Sequence, residues 1–436
     1  MQTDIIPEKF VKWFRGASPY INAHRDKTFV IMIGGNAIVG KEFPSLIHDI
    51  ALLGNLGIKL VLVFGLRPQI EGLLFEKSIK TQSVNGLRIT CAKTLASVTE
   101  AAGKTRISIE ALFSMGLANS PMAGYRTRVT SGNFVTARPY GVVDGIDFMF
   151  TGKVRRVDTD AINYHLNSNS IVIVPPLGYS PTGEVFSLSA AETAAEIAIA
   201  VGAEKLIYLQ HKLQIKDNSD IPLREITTAS LESYSKNSSA DTENCLKGAA
   251  KACDNGVARA HLLDSTIDGT LLQELFTIDG VGTMVSSSNY ELLRSAGIDD
   301  IAGIIELISP LEESGALVKR SRELLELEID NFLVVERDGV IIGCSALYHY
   351  NEFAELGCFV IDEKYILAGR ATTLLEKIEK KAIANGVKHL FVLTTHTAHW
   401  FQERGFIAST LEKLPMEKQQ MYNFKRGSKV FIKKLL

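Results

Sequence analysis

The chain has 436 residues, of which 46% are apolar and 22% are charged, so it can build full hydrophobic cores and is not a disordered protein. Its length predicts two or three domains. The net charge of -2 gives no long-range attraction to nucleic acid or to an acidic membrane surface, so neither is an expected partner.

The cysteine pattern and the N-terminal sequence indicate the cellular compartment. The five cysteines are odd in number and include no CxxC pair, which argues against a disulfide framework or a zinc cluster and favours a reducing compartment. The N-terminus has acidic residues before any apolar run, unlike a secretory signal peptide. No apolar run is long enough to span a bilayer. We therefore expect a cytoplasmic protein with no bound metal.

The first predicted element is a helix in "IPEKFVKWFRGASPYINAHR". Phe10, Val11, Trp13 and Phe14 cluster on one side of it at helical spacing. The helix precedes the first core strand, so it can dock on a partner or pack on its own domain, and periodicity alone leaves both open. We assign residues 1–20 to this segment.

Apolar runs then alternate with helical patterns as far as residue 285. The predicted strands are "TFVIMIGG", "IKLVLVFG", "SIVIVPPLG", "AEKLIYLQ" and "GVARAHLLD", and the predicted helices are "FPSLIHDIALLGNLG", "RPQIEGLLFEK", "SAAETAAEIAIAVG" and "TLLQELFT". Unbroken apolar strands that alternate with helices predict a parallel sheet covered on both faces, which is an α/β/α sandwich. The polar stretch "ESYSKNSSADTEN" predicts an exposed loop or a helix start.

A serine run at residues 286–288 marks the predicted domain boundary, and the order of elements changes after it. "SNYELLRSAG" restarts the pattern, and a hairpin in "NFLVVERDGVIIGCSALYH" is expected to turn at Asp338-Gly339. A strand, a helix, a strand and a last helix in "HTAHWFQERGFI" follow. We place the second domain at residues 286–436.

Four segments of the first domain occur together: "GGNAI", "VFGLRPQI", "VNGLRIT" and "LLQELFTIDGVGTMV". This set resembles the amino-acid kinase family, specifically its acetylglutamate-kinase branch, over residues 21–285. The family carries a lysine where this chain has Met32, and an acidic residue where this chain has Gln210-His211. Phosphoryl transfer depends on positioning and on charge neutralisation, so these departures imply a catalytically dead kinase domain. An active acetylglutamate kinase is the alternative, and it requires a replacement for Met32.

Arginine-sensitive members of this branch hold L-arginine near the end of the domain, and the matching residues here are Lys205, His261, Glu274 and Gly280. A carboxylate such as Glu274 can pair bidentately with a guanidinium, and backbone carbonyls at the turn can accept its remaining donors. The resemblance therefore implies an allosteric arginine site. From the residues alone, Glu274 can equally lie on a solvated helix face, and His261 can be a satisfied histidine at a strand edge.

The second domain resembles the GNAT acetyltransferase family, an α+β fold, through "ELGCFVIDEKYILAGRATTLLEKIEKKAIANG". A strand leads through a loop into an amphipathic helix, whose free N–H groups can hold a pyrophosphate. The strand should splay from "LFVLT", so that its backbone can bond the pantetheine amides. The family's loop begins with Gln or Arg, where this chain has Ile366. The resemblance implies an acetyl-CoA site that uses Cys358, Phe359, Val360, Ala368, Gly369, Arg370 and Ala371.

A dead acetylglutamate-kinase-like domain followed by a GNAT domain is the arrangement of the bacterial N-acetylglutamate synthase family. The resemblance implies that Arg320 holds the α-carboxylate of L-glutamate, and that Arg426 and Ser428 hold its side-chain carboxylate. Arginine suits this task because its forked guanidinium matches a carboxylate. From the residues alone these arginines can also be surface charges beside Glu323, and we leave Arg322 in that class.

The same resemblance assigns the chemistry. Glu355 matches the proposed general base, which must deprotonate the ammonium group of glutamate before it attacks the thioester. The backbone N–H of Cys358 would hold the oxyanion, and Thr394 would face the departing sulfur. A nucleophilic role for the Cys358 thiol is not favoured, because no histidine is placed beside it. His396 and His399 give only a weak metal signal without a third ligand.

The sequence thus predicts an amino-acid N-acetyltransferase that forms N-acetyl-L-glutamate and CoA from L-glutamate and acetyl-CoA, the first step of arginine biosynthesis. By resemblance, L-arginine inhibits it, and the N-terminal helix pairs dimers into hexameric rings. A further alternative is an arginine-binding sensor without transferase activity, and Ile366 is its only support.

Overall fold

The computed structural model describes residues 7–84, 86–115, 127–217, 222–231, 234, 239–277, 280–287, 291–337, 339–365, 370–395, 397–424 and 426–435. The chain divides into two compact units, Met1–Ser288 and Asn289–Leu436, which we describe separately. Asp338 of the predicted hairpin turn and residues 232–233 and 235–238 of the predicted polar stretch lie outside the described residues.

The elements of the first unit follow in chain order. Its helices are α1 (Pro7–His24), α2 (Gly35–Ile38), α3 (Phe43–Asn55), α4 (Arg67–Glu76), α5 (Ala92–Phe113), α6 (Thr159–Asn167), α7 (Ala190–Ala200), α8 (Ala240–Asp254) and α9 (Thr270–Phe276). Its strands are β1 (Thr28–Ile33), β2 (Lys59–Phe64), β3 (Ser83–Val84), β4 (Leu87–Arg88), β5 (Arg128–Thr130), β6 (Val135–Pro139), β7 (Val142–Val143), β8 (Ile146–Asp147), β9 (Gly152–Val157), β10 (Ser170–Val174), β11 (Leu177–Tyr179), β12 (Val185–Ser187), β13 (Lys205–Gln210), β14 (Glu225–Thr227), β15 (Arg259–Asp264) and β16 (Thr283–Ser286).

An eight-stranded sheet forms the centre of this unit, in the order β14-β16-β15-β13-β1-β2-β10-β5. Its central strands are parallel, and β15 pairs antiparallel with β16. One face packs against α6, α7 and α8, and the other packs against α3, α5 and α9. The central strands are continuous apolar runs because both faces are covered. The predicted α/β/α sandwich is therefore confirmed.

The first helix both packs on its own unit and exposes an apolar cluster. It continues to His24, so the boundary predicted after residue 20 falls inside α1. Ala17 is buried in the core of the unit. Phe10, Trp13 and Phe14 are about half exposed, and the rings of Phe10 and Phe14 stack with centroids 6.1 Å apart. The predicted oligomer contact at this cluster stays a prediction.

The second unit has its own sheet, in the order β17-β18-β19-β20-β21-β23-β22. Its helices are α10 (Ile301–Glu313), α11 (Arg322–Glu328), α12 (Arg370–Ala384), α13 (Ala398–Gln402) and α14 (Met416–Gln420). Its strands are β17 (Leu292–Ser295), β18 (Phe332–Arg337), β19 (Val340–Tyr350), β20 (Phe353–Ile361), β21 (His389–Thr394), β22 (Ile407–Ser409) and β23 (Lys429–Lys434). β20 and β21 run parallel, and the other neighbouring pairs run antiparallel.

β20 and β21 separate soon after they meet. Phe353–Glu355 pair with residues 389–391, whereas β20 continues to Ile361 and β21 to Thr394. On the other edge of β20, the register with β19 shifts, and Cys358 has a φ of 48°. A bulge of this kind bends a strand, here away from β21. The predicted splay is confirmed, and the β21-facing edge of β20 is free of that strand from residue 356 onwards.

The last predicted helix was expected to end at Arg404-Gly405-Phe406, and the structure ends it two residues before Arg404. α13 ends at Gln402. Three residues later, Gly405 takes a φ of 86°, and the Phe406 amide donates to the Phe401 carbonyl. A left-handed glycine stops a helix in this way and turns the chain into β22. Within the described ranges, no helix is both long and apolar enough to cross a membrane.

Candidate active site and candidate arginine site

The turn after β1 has no cation at the position where the kinase family has lysine. Met32 is buried in β1, and the neighbouring strand β13 ends at Gln210. The Gln210 side chain lies over the turn, because its Oε1 would be 2.1 Å from a Cβ placed on Gly34. A neutral amide therefore covers the glycine turn, where a phosphoryl-transfer enzyme needs charge neutralisation.

Two arginines line the cavity of about 250 Å³ beside this turn. Arg67 pairs with Asp241 at 2.9 Å, and Arg88 lies 3.5 Å from Glu71. Both guanidinium groups therefore have carboxylate partners within the unit. Neither side chain comes from the strand position that the missing lysine would occupy.

Lys205, His261 and Glu274 form one buried chain of hydrogen-bonding groups. His261 Nδ1 lies 2.7 Å from Glu274 Oε1, and His261 Nε2 lies 3.5 Å from Lys205 Nζ. The other carboxylate oxygen of Glu274 accepts the N–H groups of Val281 and Gly282 at 2.7 and 2.8 Å. Only 6% of the Glu274 side chain is exposed, so the solvated helix face that the sequence left open is wrong.

The surroundings determine the charge states of Glu274 and His261 in this buried group. Burial would raise the pKa of Glu274, but the bonds from His261 and from the Gly282 and Val281 amides outweigh burial and lower the pKa to about 2. Burial, and then the charge of Lys205, lower the pKa of His261. The imidazole is therefore neutral; its Nδ1–H donates to Glu274, and its Nε2 can accept from Lys205.

Gly280 is required at its position for two reasons. Its φ of 57° lies in the left-handed region, which a side chain disfavours. A Cβ there would also lie 2.5 Å from Glu274 Oε2. The turn and the buried carboxylate can therefore approach each other only because residue 280 is glycine.

His24 adds the N-terminal helix to this cluster, which the sequence did not reveal. Its Nε2 donates to the carbonyl of Leu275 on α9 at 3.0 Å, and its ring lies 5.2 Å from that of Phe29. Burial, and then the charge of Lys205, lower the pKa of His24 to about 4. Its place two helical turns after the buried Ala17 is the signal that could have found it.

Glu274→Gln is expected to flatten the pH dependence of stability. The folded-state pKa of about 2 lies below the usual value of 4.5, so the stabilising contribution is complete above pH 4.5 and is lost as the pH falls towards 2. The wild type should exceed the variant by on the order of 3 kcal/mol at pH 7 and by much less near pH 3. Urea unfolding at both pH values measures this, with the exposed Glu76→Gln as control. If the free energies of unfolding of the wild type and the variant differ equally at pH 7 and pH 3, the lowered pKa of Glu274 is contradicted.

In the second unit, Glu355 is the last residue of β20 that pairs with β21. Its side chain is 11% exposed, and its Oε2 lies 2.7 Å from Nζ of Lys418 on α14. Burial, and then the charge of Glu355, raise the pKa of Tyr350 on β19 to about 12. Lys418 was missed from the sequence because it is one of several cations in a basic tail, and nothing there indicates its distant partner.

Arg320 and Arg426 lie close enough for the charge of one to affect the other. Burial, and then the charge of Arg320, lower the pKa of Arg426, while the charge of Glu355 opposes them. One Nη of Arg426 donates to the carbonyl of Ala316, and one Nη of Arg320 donates to the carbonyl of Val318 at 2.9 Å. Arg426 Nε is buried without a hydrogen-bond partner among the described residues. A buried guanidinium N–H beside a second arginine suits an incoming carboxylate.

Ser428 lies two residues after Arg426, and Thr394 pairs with the next residue, Lys429. Ser428 is buried, and its carbonyl accepts the Tyr422 hydroxyl at 2.6 Å. Thr394 ends β21, opposite Lys429 of β23. Its Oγ1 accepts the N–H of Thr397 at 3.1 Å, which fixes the hydroxyl at the mouth of the separating strands.

The strand expected to carry acetyl-CoA alternates its side chains as a strand should. Phe359 packs on Trp400 with ring centroids 5.3 Å apart, while Cys358 and Val360 are buried in the core on the other face. The thiol of Cys344 donates to the Cys358 carbonyl at 3.6 Å. The backbone of this strand, rather than its side chains, is thus the part available to a ligand.

The loop before α12 is only partly described. Ile366, Ala368, Gly369 and, further on, His396 lie outside the described residues. Arg370 opens α12, and its Nε bonds both carboxylate oxygens of Glu291 at 2.6 and 2.8 Å. Its guanidinium is therefore engaged, and a pyrophosphate contact from this end would use backbone N–H groups of residues 370–371. The described residues contain no group of His, Cys, Asp and Glu able to hold a metal ion.

Both units match known families. Residues 27–264 match the amino acid kinase family, and residues 301–406 match the acetyltransferase (GNAT) family. An amino-acid acetyltransferase of Pseudomonas fluorescens (strain Pf0-1) is 50% identical over 436 residues, which cover 99% of this chain and 100% of that protein. One of Pseudomonas syringae pv. tomato is 49% identical over 431 residues, which cover 98% and 100%.

Solved structures agree with this. A crystal structure of N-acetylglutamate synthase from Neisseria gonorrhoeae, complexed with coenzyme A and L-arginine, is similar with a TM-score of 0.89 and 34% identity over 98% of this chain and 99% of that chain. Another, complexed with coenzyme A and N-acetyl-glutamate, gives 0.63 and 35% over the same shares. The predicted fold class and resemblance are confirmed. The chain belongs to the amino-acid acetyltransferases, N-acetyltransferases in which a GNAT domain follows an amino-acid-kinase-like domain.

Proposed function

We propose that the protein transfers the acetyl group of acetyl-CoA to the α-amine of L-glutamate, the first step of arginine biosynthesis, and that it works in the cytoplasm. The observation that supports this most is the buried, unpartnered Nε of Arg426 close to Arg320 and Glu355. Two arginines suit an acceptor with two carboxylates, and the carboxylate beside them suits an amine that must lose a proton. The N-acetyl-glutamate complex of the gonococcal synthase supports the same acceptor.

In the proposed reaction, acetyl-CoA lies along residues 358–360 of β20, with its pyrophosphate at the start of α12. Glu355 takes a proton from the ammonium of glutamate, and the free amine attacks the thioester carbonyl. The backbone N–H of Cys358 stabilises the tetrahedral oxyanion. The carbonyl then re-forms as the C–S bond breaks, the attacking nitrogen gives its remaining extra proton to the departing thiolate, and Thr394 donates a hydrogen bond to that sulfur. No covalent intermediate with the enzyme forms.

A competition experiment tests the acceptor. Purified protein receives acetyl-CoA and an equimolar mixture of the twenty amino acids, and mass spectrometry identifies the acetylated products. We expect N-acetyl-glutamate as the dominant product. Acetylation of another amino acid in its place overturns the proposed acceptor, and the absence of any product favours the arginine-sensor alternative.

We further propose that L-arginine inhibits the enzyme by binding at Lys205, His261, Glu274 and Gly280. The buried Glu274 carboxylate supplies the negative charge for a guanidinium, and the turn at Gly280 supplies carbonyls. The arginine complex of the gonococcal synthase supports an arginine-binding fold. Inhibition requires that arginine binds one arrangement of the protein better than another. His24 links this site to α1, whose apolar cluster we propose as the contact that pairs dimers into hexamers.

Gly280→Ala is expected to weaken inhibition by L-arginine at least about tenfold, because a left-handed alanine is disfavoured by 1–2 kcal/mol and its Cβ displaces Glu274. Calorimetric binding and the inhibition curve measure this. Gly183→Ala is the matched control, since Gly183 has a φ of 88° and no atom within 4 Å of the added Cβ. If the arginine concentrations that inhibit the wild type inhibit Gly280→Ala equally well, the proposed arginine site is wrong.

The kinase-like unit is proposed to lack phosphotransferase activity. The neutral Gln210 over the glycine turn and the buried Met32 support this. Incubation with ATP, magnesium and N-acetyl-glutamate should release no ADP above background. Turnover of ATP that depends on N-acetyl-glutamate would revive the kinase alternative.

A further inference from the structure

The pairing of Glu355 with Lys418 has no role in the mechanism above. The ammonium of Lys418 lies 2.7 Å from Glu355 Oε2, and the two side chains are only 16% and 11% exposed. An ion pair this sheltered is screened far less by water than a surface pair. The group proposed to accept a proton from the substrate is therefore paired with a lysine.

Lys418 sits on an anchored segment. Gln419 Nε2 donates to the carbonyls of Leu414 and Glu412 at 2.7 and 3.2 Å, and the Tyr422 hydroxyl donates to Ser428. We call residues 411–428 the acceptor segment, because they carry Lys418, Arg426 and Ser428. The same stretch of chain thus supplies the cation on Glu355 and two of the groups proposed for the side-chain carboxylate of the acceptor.

An amino-acid ammonium can pair with Glu355 only if Lys418 exchanges its partner. Among the described residues, Lys418 on α14, Arg426 on the acceptor segment and Tyr350 on β19 interact with Glu355. The substrate's ammonium must approach the Glu355 carboxylate, where it meets a second cation of like charge. A dicarboxylate acceptor brings a negative group that can take Lys418 in exchange, and the lysine side chain is flexible enough to move.

We propose that Lys418 determines specificity: its ammonium pairs with Glu355 and moves to the side-chain carboxylate of the acceptor when the acceptor's own ammonium replaces it. This inference rests on the proposed function. An acceptor without a side-chain carboxylate, such as L-glutamine, leaves Lys418 on Glu355 and leaves the base blocked. Discrimination against glutamine then arises from lost binding and from an unavailable base together.

The test compares Lys418→Met, Lys418→Arg and the matched control Lys413→Met, whose lysine is exposed on the same segment. Initial rates of thiol release from acetyl-CoA give kcat/KM for L-glutamate and for L-glutamine. Lys418→Met should reduce the glutamate-to-glutamine ratio by about ten- to a hundredfold, the loss usual for one charged hydrogen bond. Lys418→Arg should retain most of the ratio, and Lys413→Met should keep it unchanged.

The separate KM values distinguish this role from a merely structural one. Lys418→Met should raise the KM for glutamate about ten- to a hundredfold, because the lost ammonium no longer contacts the acceptor's carboxylate, and should leave the KM for acetyl-CoA close to the wild-type value. Urea unfolding confirms that each variant is folded, and Lys418→Gln, which also removes the charge, carries the test if Lys418→Met is not folded. An unchanged ratio and an unchanged KM for glutamate in the folded variant overturn the inference while the acceptor assignment stands. A wild type that releases no thiol with glutamate overturns the proposed function and this inference with it.

Discussion

Glu355→Gln is expected to lower kcat by about two to four orders of magnitude, because the amide keeps the shape of the side chain but cannot accept a proton. The KM for acetyl-CoA should change little. The residual rate should rise with pH, since the fraction of unprotonated glutamate amine grows about tenfold per unit below its pKa. Thiol release between pH 6 and 10 measures both effects.

Glu352→Gln is the matched control for this variant. Glu352 lies at the turn before β20 and is exposed, and it pairs with Lys388 at 2.5 Å. Loss of such a surface pair should leave kcat within about twofold of the wild type. A Glu355→Gln enzyme with nearly full kcat and the wild-type pH profile would show that another group takes the proton.

Arg320→Met is expected to raise the KM for L-glutamate by about ten- to a hundredfold, the effect of removing one charged hydrogen-bond partner from a carboxylate. The KM for acetyl-CoA should stay close to the wild-type value, because the proposed pantetheine contacts are backbone groups of β20. Initial-rate kinetics with each substrate varied in turn separate the two constants.

Arg322→Met is the control, two residues further on. Arg322 is 73% exposed and pairs only weakly with Glu326 across one helical turn at 2.9 Å, so its loss should leave both KM values unchanged. Equal effects of the two substitutions would mean that both arginines steer anions by general charge, and that Arg320 holds no carboxylate.

Local pattern was sufficient for the scaffold. β1, β2 and β13 are buried on both faces, so each appears in the sequence as a short unbroken apolar run, and the glycine turns and helices between them follow the same logic. The departure of β20 from β21 was predicted through the family resemblance and not from local pattern. The end of α13 was predicted to within about two residues, because Gly405 marks it in the sequence.

Polar contacts between residues far apart in the chain could not be predicted from the sequence. Nothing local to Lys418 or His24 indicates that Glu355 or Leu275 will be its partner, since each pair is closed by the tertiary fold. Arg370 illustrates the converse: its place at a helix start suggests an anion contact, but Glu291 already occupies its guanidinium. The burial of Glu274, which excludes the solvated helix face, likewise appears only in the folded chain.

We propose that one chain joins a glutamate acetyltransferase to an arginine sensor. The most direct measurement is thiol release from acetyl-CoA by the full-length protein, with and without L-glutamate, titrated with L-arginine. We expect thiol release only when glutamate is present, and we expect its rate to fall as arginine is added. Thiol release that needs no glutamate, or that glutamate fails to produce while acetyl-CoA still binds, would contradict this proposal.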